Sequence, residues 1–186
     1  MRLVVGTILC VAASAVMADN QSVMTSMQKT FELPAHRSLM AVMTEDETRL
    51  AAFESDGCSG GMSWSWRIVA DIFPDFKQAQ RETPPWETCC VVHDRAYHNA
   101  GGADDAEASF DARLAADNEL RHCVATPAAT EITAMASRYD VSEDQVQVAY
   151  DLIAESMYNA VRFGGAPCSG LPWRWGFGYP GCVPGF

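Results

Sequence analysis

The chain has 186 residues, with 13 lysines and arginines against 24 aspartates and glutamates, and its formal net charge at pH 7 is −11. This charge argues against nucleic acid as a partner, because phosphate binding needs a basic face, and against strong attraction to an anionic membrane. The length suits one domain with a hydrophobic core.

The first 18 residues have the layout of a secretory signal peptide. Arg2 precedes an apolar run from Leu3 to Val16, and a plausible cut follows Ala18. The run is too short for a membrane span, and no other apolar run comes close to one, so we expect no transmembrane segment. We predict a secreted protein, either periplasmic or extracellular.

Removal of Cys10 with the signal leaves an even number of cysteines. An exported chain with this number is expected to form three disulfides, although the sequence alone allows many pairings. The six cysteines are Cys58, Cys89, Cys90, Cys123, Cys168 and Cys182.

Residues 19–43 are polar with scattered methionines and a proline at position 34, so we predict a loosely packed lead-in to a single domain over residues 44–186. Thr44 and Glu47 have the spacing of a capping box, which predicts a helix that ends before Gly57.

The remainder of the chain is predicted to be mainly helical. The glycine-rich stretch 56–61 indicates a tight loop, and no strand-like alternation of any length is present. The tail, residues 167–186, is rich in glycine, proline and aromatic residues. Apolar spacing and breaker residues predict helices over residues 64–73, 86–99, 104–124, 129–138 and 142–164.

The helix over residues 86–99 concentrates chemically useful side chains. Cys89, His93 and Tyr97 share one face, and Cys90 and Asp94 share the adjacent one. Histidine is the side chain best suited to general-base work near neutral pH. Asp94 can instead point at a metal ion that the glycine loop supplies with oxygen ligands.

The order Cys-Cys-x-x-His-Asp-x-x-Tyr after an Asp-Gly-Cys loop resembles secreted phospholipase A2, particularly its bacterial and fungal branch. The resemblance covers Asp56–Gly61 and Glu87–Asn99, and residues 104–124 more loosely. It implies a mainly α, disulfide-stapled fold with two long antiparallel helices carrying the site and a glycine-rich calcium loop. The implied activity is calcium-dependent hydrolysis of the sn-2 ester of glycerophospholipids at a membrane or micelle interface.

The resemblance also implies a role for each matching residue. His93 is expected to act as the general base, and Tyr97 to hydrogen-bond the aspartate that orients it. Asp94, Asp56 and the carbonyl of Gly57 are expected to bind Ca²⁺, whose preferred ligands are hard oxygens. Weaker candidates for the calcium site are the carbonyls of Ser59 and Gly61.

Two aspartates compete to orient the histidine. If Cys89 and Cys123 join two antiparallel helices, the distance along one helix from Cys89 to His93 should be similar to the distance along the other from Cys123 to the orienting aspartate. The offset from Cys89 to His93 is about 6 Å, and that from Cys123 is about 9 Å to Asp117 but about 18 Å to Asp111. We therefore favour Asp117, with Asp111 as the alternative. The resemblance also favours Asp117, because the family places its supporting aspartate six residues before such a cysteine.

Two further disulfides are expected. The resemblance implies that Cys58 pairs with Cys90, tying loop to helix, and by the same logic Cys168 is expected to pair with Cys182 in the tail, which lies outside the resemblance. Ala96 occupies the position of an additional cysteine in the animal and venom branch, which the bacterial branch also lacks.

Other possibilities accompany this interpretation. The chain could be a non-catalytic exported binding protein on the same scaffold, although inactive members of the family typically lose the aspartate that Asp94 supplies here. Cys90 and His93 could bind zinc, but an oxidising compartment favours disulfides. The aromatic tail could face a membrane or pack onto the core, and Arg162 and Arg174 could contact a phosphate head group.

Overall fold

The computed structural model describes residues 4–55, 57–58 and 83–183, with side chains from residue 23 onward. In these ranges the chain contains five α-helices and no strand, which confirms the prediction of a mainly α protein. The predicted helix over 64–73 lies outside the described residues. The helices are α1 (Val4–Met43), α2 (Glu87–His98), α3 (Ala106–Ala125), α4 (Ala129–Tyr139) and α5 (Glu143–Gly164), with a 3₁₀ turn at Ala100–Gly102.

Side-chain caps mark the starts of α3 and α5, close to where the sequence predicts them. The Asp105 side chain accepts hydrogen bonds from the first N–H groups of α3, and Ser142 forms a capping box with Gln145 at the start of α5. After α2 ends at His98, Gly101 has a φ of 65°, a conformation that glycine adopts at little cost.

The prediction of a loosely packed lead-in over residues 19–43 is wrong. These residues belong to α1, which continues through Pro34. Proline leaves the carbonyl of Thr30 without its helical partner, but Thr30 is exposed, so that carbonyl is close to solvent. The helix continues because its second half is anchored by burial, with His36 and Leu39 both 0% exposed.

The predicted helix beginning at Thr44 is also wrong. The Thr44 hydroxyl donates to the carbonyls of Met40 and Ala41, so this residue closes α1 rather than opening another helix. Residues 48–55 are non-helical. Phe53 nevertheless packs onto the domain, with its ring centroid 5.4 Å from that of His98.

The second, third and fifth helices form the framework of the site. Contacts from α3 to α2 and to α5 run in opposite residue order, so α3 lies antiparallel to both. All three predicted disulfides are confirmed. Cys89–Cys123 joins α2 to α3, Cys58–Cys90 joins the loop to α2, and Cys168–Cys182 closes the tail.

The aromatic tail packs onto the core instead of forming an exposed patch. Trp175 is 0% exposed; its indole N–H donates to the Ser109 hydroxyl at 2.9 Å, and its ring packs edge-on against Tyr97. Phe177 contacts His98 in the same manner. Among the described residues, no helix is both long enough and apolar enough to cross a membrane.

Candidate active site

The antiparallel register of α2 and α3 brings His93 and Asp117 into contact. Their side chains meet with 2.9 Å between His93 Nε2 and Asp117 Oδ1. His93 is 7% exposed and Asp117 is 0% exposed. The alternative partner, Asp111, lies on the surface, where it accepts a hydrogen bond from Lys29. The structure thus brings Asp117, and not Asp111, to the histidine.

The charge on Asp117 determines which nitrogen of His93 carries the proton. Burial acts to raise the pKa of Asp117, but the hydrogen bond from His93, the positive charge of Arg113 and the hydrogen bond from Arg162 outweigh it and lower that pKa. An ionised carboxylate can only accept, so Nε2 must donate. In a neutral imidazole the other nitrogen, Nδ1, then holds the lone pair, as a base requires.

Tyr97 supports the same carboxylate from the next turn of α2. Its hydroxyl donates to Asp117 Oδ1 at 2.7 Å and accepts from Arg113 Nε at 3.2 Å. Burial raises the pKa of Tyr97 well above its ordinary value, so the hydroxyl keeps the proton that it donates. The sequence-predicted partner of the orienting aspartate is therefore in hydrogen-bond contact with Asp117.

Three charged residues form an ion-pair network with Asp117, and the sequence did not predict this network. Arg162 donates to Asp117 Oδ2 at 2.9 Å, and its other terminal nitrogen lies 2.8 Å from Glu32. Arg113 also pairs with Glu32. Arg162 is 8% exposed, so the proposed head-group contact is wrong for this residue: its guanidinium is committed to internal carboxylates.

One feature of the sequence could have indicated Arg113 as part of the site. Arg113 lies four residues before Asp117, on the same face of α3, and a cation on a buried face needs a carboxylate. Glu32 has no comparable signal, because the two arginines that it contacts are distant in sequence and its helix was not predicted. The second arginine proposed for a head group, Arg174, is 6% exposed and donates to the carbonyls of Tyr179 and Pro180, so that contact is wrong as well.

On the adjacent face of α2, Asp94 meets the chain that leads into the glycine loop. Its Oδ2 accepts a hydrogen bond of 2.6 Å from the Ser55 hydroxyl, and Ser55 Oγ in turn accepts from the Gly57 N–H at 3.1 Å. The Cys58–Cys90 disulfide ties the chain next to Gly57 to α2 at Cys90, which lies one helical turn before Asp94. Gly57 has a φ of 80°, which favours glycine at this position.

The donor chemistry around Asp94 suits a hard cation. The described oxygen groups here are the Asp94 carboxylate and the Ser55 hydroxyl. Cys90 has no thiolate to offer because it is bonded to Cys58. The zinc alternative is therefore wrong. Within residues 4–55, 57–58 and 83–183, no cluster of three or more His, Cys, Asp or Glu residues could hold a metal by itself. The predicted ligand Asp56 lies outside the described residues, as do Ser59 and Gly61.

His93 and Asp94 open onto a cavity of about 330 Å³. This volume lies in the range of small-molecule sites. Its wall is largely apolar, and α5 contributes a large part of the described lining. The apolar lining includes Leu120, Leu152, Ile153, Met157, Val161 and Trp173.

Comparison of the chain with models of known protein families, with curated proteins and with solved structures found no match.

Proposed function

We propose that the protein is an exported, calcium-dependent phospholipase A2 that hydrolyses the sn-2 ester of glycerophospholipids. The observation that carries the proposal is the His93–Asp117 pair, whose histidine lines an apolar cavity. The pair supplies a base with a fixed tautomer, and the cavity suits an acyl chain. The three disulfides support export, because such bonds persist in oxidising compartments.

In the proposed reaction, His93 Nδ1 removes a proton from a water molecule, and the resulting nucleophile attacks the ester carbonyl. Asp117 stabilises the positive charge that develops on the imidazole and prevents the ring from rotating. When the ester bond breaks, the protonated His93 returns the proton to the leaving alkoxide. The products are a fatty acid and a lysophospholipid.

Asp94 and the backbone at Gly57 are the described groups proposed to hold Ca²⁺, with Asp56 as the expected third. Bound there, the ion would supply positive charge beside the ester oxygen and the lipid phosphate. Ser55 holds Asp94 and the Gly57 turn together through its hydroxyl. The Cys58–Cys90 disulfide keeps that turn against α2.

The test is fatty-acid release from vesicles of mixed phospholipids that carry a label in the sn-2 chain, in calcium and in EGTA. The proposal predicts release of the labelled acid in calcium and none in EGTA. Asp94→Asn should weaken calcium binding in a titration and reduce release in parallel, while Asp104→Asn, an exposed aspartate outside the site, should match the wild type.

The competing scaffold hypothesis gives a different result in the same experiment. A non-catalytic binding protein would release no labelled acid in either condition. Release that is equal in calcium and in EGTA would contradict the calcium requirement while leaving esterase activity in place.

A further inference from the structure

We propose that Glu32, on the N-terminal helix α1, is a positioning residue for the His93–Asp117 pair. This inference rests on the proposed function, because it concerns the same site. Glu32 lies after the predicted signal peptide, so it remains in the exported chain. It acts through two buried arginines and contacts neither His93 nor the cavity.

The first support is the geometry of the carboxylate. Glu32 Oε1 lies 2.8 Å from Arg162 Nη2, and its Oε2 pairs with Arg113. Arg162 and Arg113 lie on α5 and α3, so one side chain of α1 bridges the two helices that flank the site. The Glu32 side chain is 15% exposed, which leaves little competition from water.

The second support is the balance of charge. Arg113 and Arg162 are 0% and 8% exposed, and Asp117 is 0% exposed. Two buried cations and one buried anion are unstable without another carboxylate, since removing one partner leaves an uncompensated charge. Glu32 supplies it: burial acts to raise its pKa, but His36, Arg113 and Arg162 lower it, so it stays ionised.

The third support is that the two carboxylate oxygens of Asp117 have different partners. Oδ1 accepts from His93 and Tyr97, while Oδ2 accepts from Arg162 at 2.9 Å and lies 4.0 Å from Arg113 Nε. Without Glu32, Asp117 is the remaining carboxylate that either arginine contacts among the described residues. They would draw it toward themselves, lengthening or tilting the hydrogen bond from His93.

The experiment compares Glu32→Gln, which removes the charge at nearly constant shape, with the wild type. We expect kcat to fall by about tenfold with KM nearly unchanged, since displacement of a reacting group affects the chemical step. The downfield NMR resonance of the His93 Nε2 proton, assigned by its loss in His93→Gln, should shift or broaden. Glu32→Asp, which keeps the charge on a shorter side chain, should restore part of both readouts.

The matched control is Lys29→Gln, which breaks another contact of α1 with α3, the exposed pair with Asp111 and Glu107. It should leave kcat and the His93 resonance unchanged. A folded Glu32→Gln protein with wild-type kcat and an unmoved resonance would overturn the proposal. If Glu32→Gln does not fold, Glu32→Asp decides. Its shorter side chain cannot reach both arginines, so we expect an intermediate kcat and a shifted resonance, and wild-type values of both would overturn the proposal.

Different measurements test the two proposals, so the failure of one can be distinguished from the failure of the other. If the wild type releases no fatty acid from vesicles, the phospholipase proposal fails. The His93 resonance then decides the role of Glu32 alone, because that signal reports the hydrogen bond to Asp117 without any substrate.

Discussion

Asp117 and Asp111 lie on the same helix but have opposite surroundings. Asp117 is fully buried and accepts hydrogen bonds from His93, Tyr97 and Arg162. The Asp111 side chain is 63% exposed and pairs with Lys29. We expect Asp117→Asn to lower kcat by on the order of a hundredfold or more, because an amide can force the wrong tautomer on the histidine.

Asp111→Asn is the matched control, and its initial rate on phospholipid vesicles should equal that of the wild type. Both variants should be checked for folding by far-UV circular dichroism. A larger loss in Asp111→Asn than in Asp117→Asn would mean that the register of α2 against α3 is different from the one described.

The stability of the protein should fall in acid. Glu32, Asp117 and His36 all have pKa values below their ordinary values of 4.5, 3.8 and 6.5. For His36 the main cause is burial, which outweighs the nearby Glu32. Each group therefore stabilises the fold fully above its unfolded pKa, and this contribution is lost as the pH falls through the folded pKa.

Urea unfolding at a series of pH values from about 7 to about 2 would measure this effect. The free energy of unfolding should begin to decrease below pH 6.5 and decrease further as the carboxyl groups titrate. Glu32→Gln should be less stable at neutral pH and less sensitive to pH below 4.5. A free energy that rises on acidification would contradict the charge assignment of this cluster.

The disulfide between α2 and α3 should contribute strongly to stability. Cys89 and Cys123 are 34 residues apart, and a cross-link over such a loop is worth about 3–4 kcal/mol in the unfolded-chain entropy model. The double variant Cys89→Ser/Cys123→Ser should lose about that much unfolding free energy, measured in urea. Non-reducing peptide mapping of the wild type should recover the two cysteines in one linked pair; any other partner for Cys89 contradicts the structure.

Packing of the tail can be tested at Trp175. Trp175→Ala should destabilise the protein by about 3–5 kcal/mol, because it removes a fully buried aromatic ring. Phe163→Ala is the control, with a side chain that is 95% exposed, and should change stability by less than about 0.5 kcal/mol. If Trp175→Ala instead kept its stability and lost binding to vesicles, the tail would be a membrane contact.

Much of the site could be predicted because the spacings that determine it join residues that are close together in the sequence. The spacing of Cys89, His93 and Tyr97 follows from the helical repeat, and the six-residue offset between Asp117 and Cys123 fixed the register. Asp105 and Ser142 mark helix starts through hydrogen bonds to their own next turn.

The errors came from residues whose role depends on distant contacts. Thr44 can cap a helix at either end, and only the position of α1 decides which. Pro34 suggests a break, but burial of Leu39 against the tail outweighs that local preference. Glu32 and Arg162 are 130 residues apart, and no periodicity in the sequence connects them.

The central claim is that His93 acts as a general base in phospholipid hydrolysis. The most direct measurement is the initial rate of sn-2 fatty-acid release in calcium by the wild type, by His93→Gln and by His122→Gln, whose histidine is exposed on α3. We predict calcium-dependent release by the wild type and by His122→Gln, and a loss of at least about a hundredfold in His93→Gln. Equal rates for wild type and His93→Gln would contradict the account.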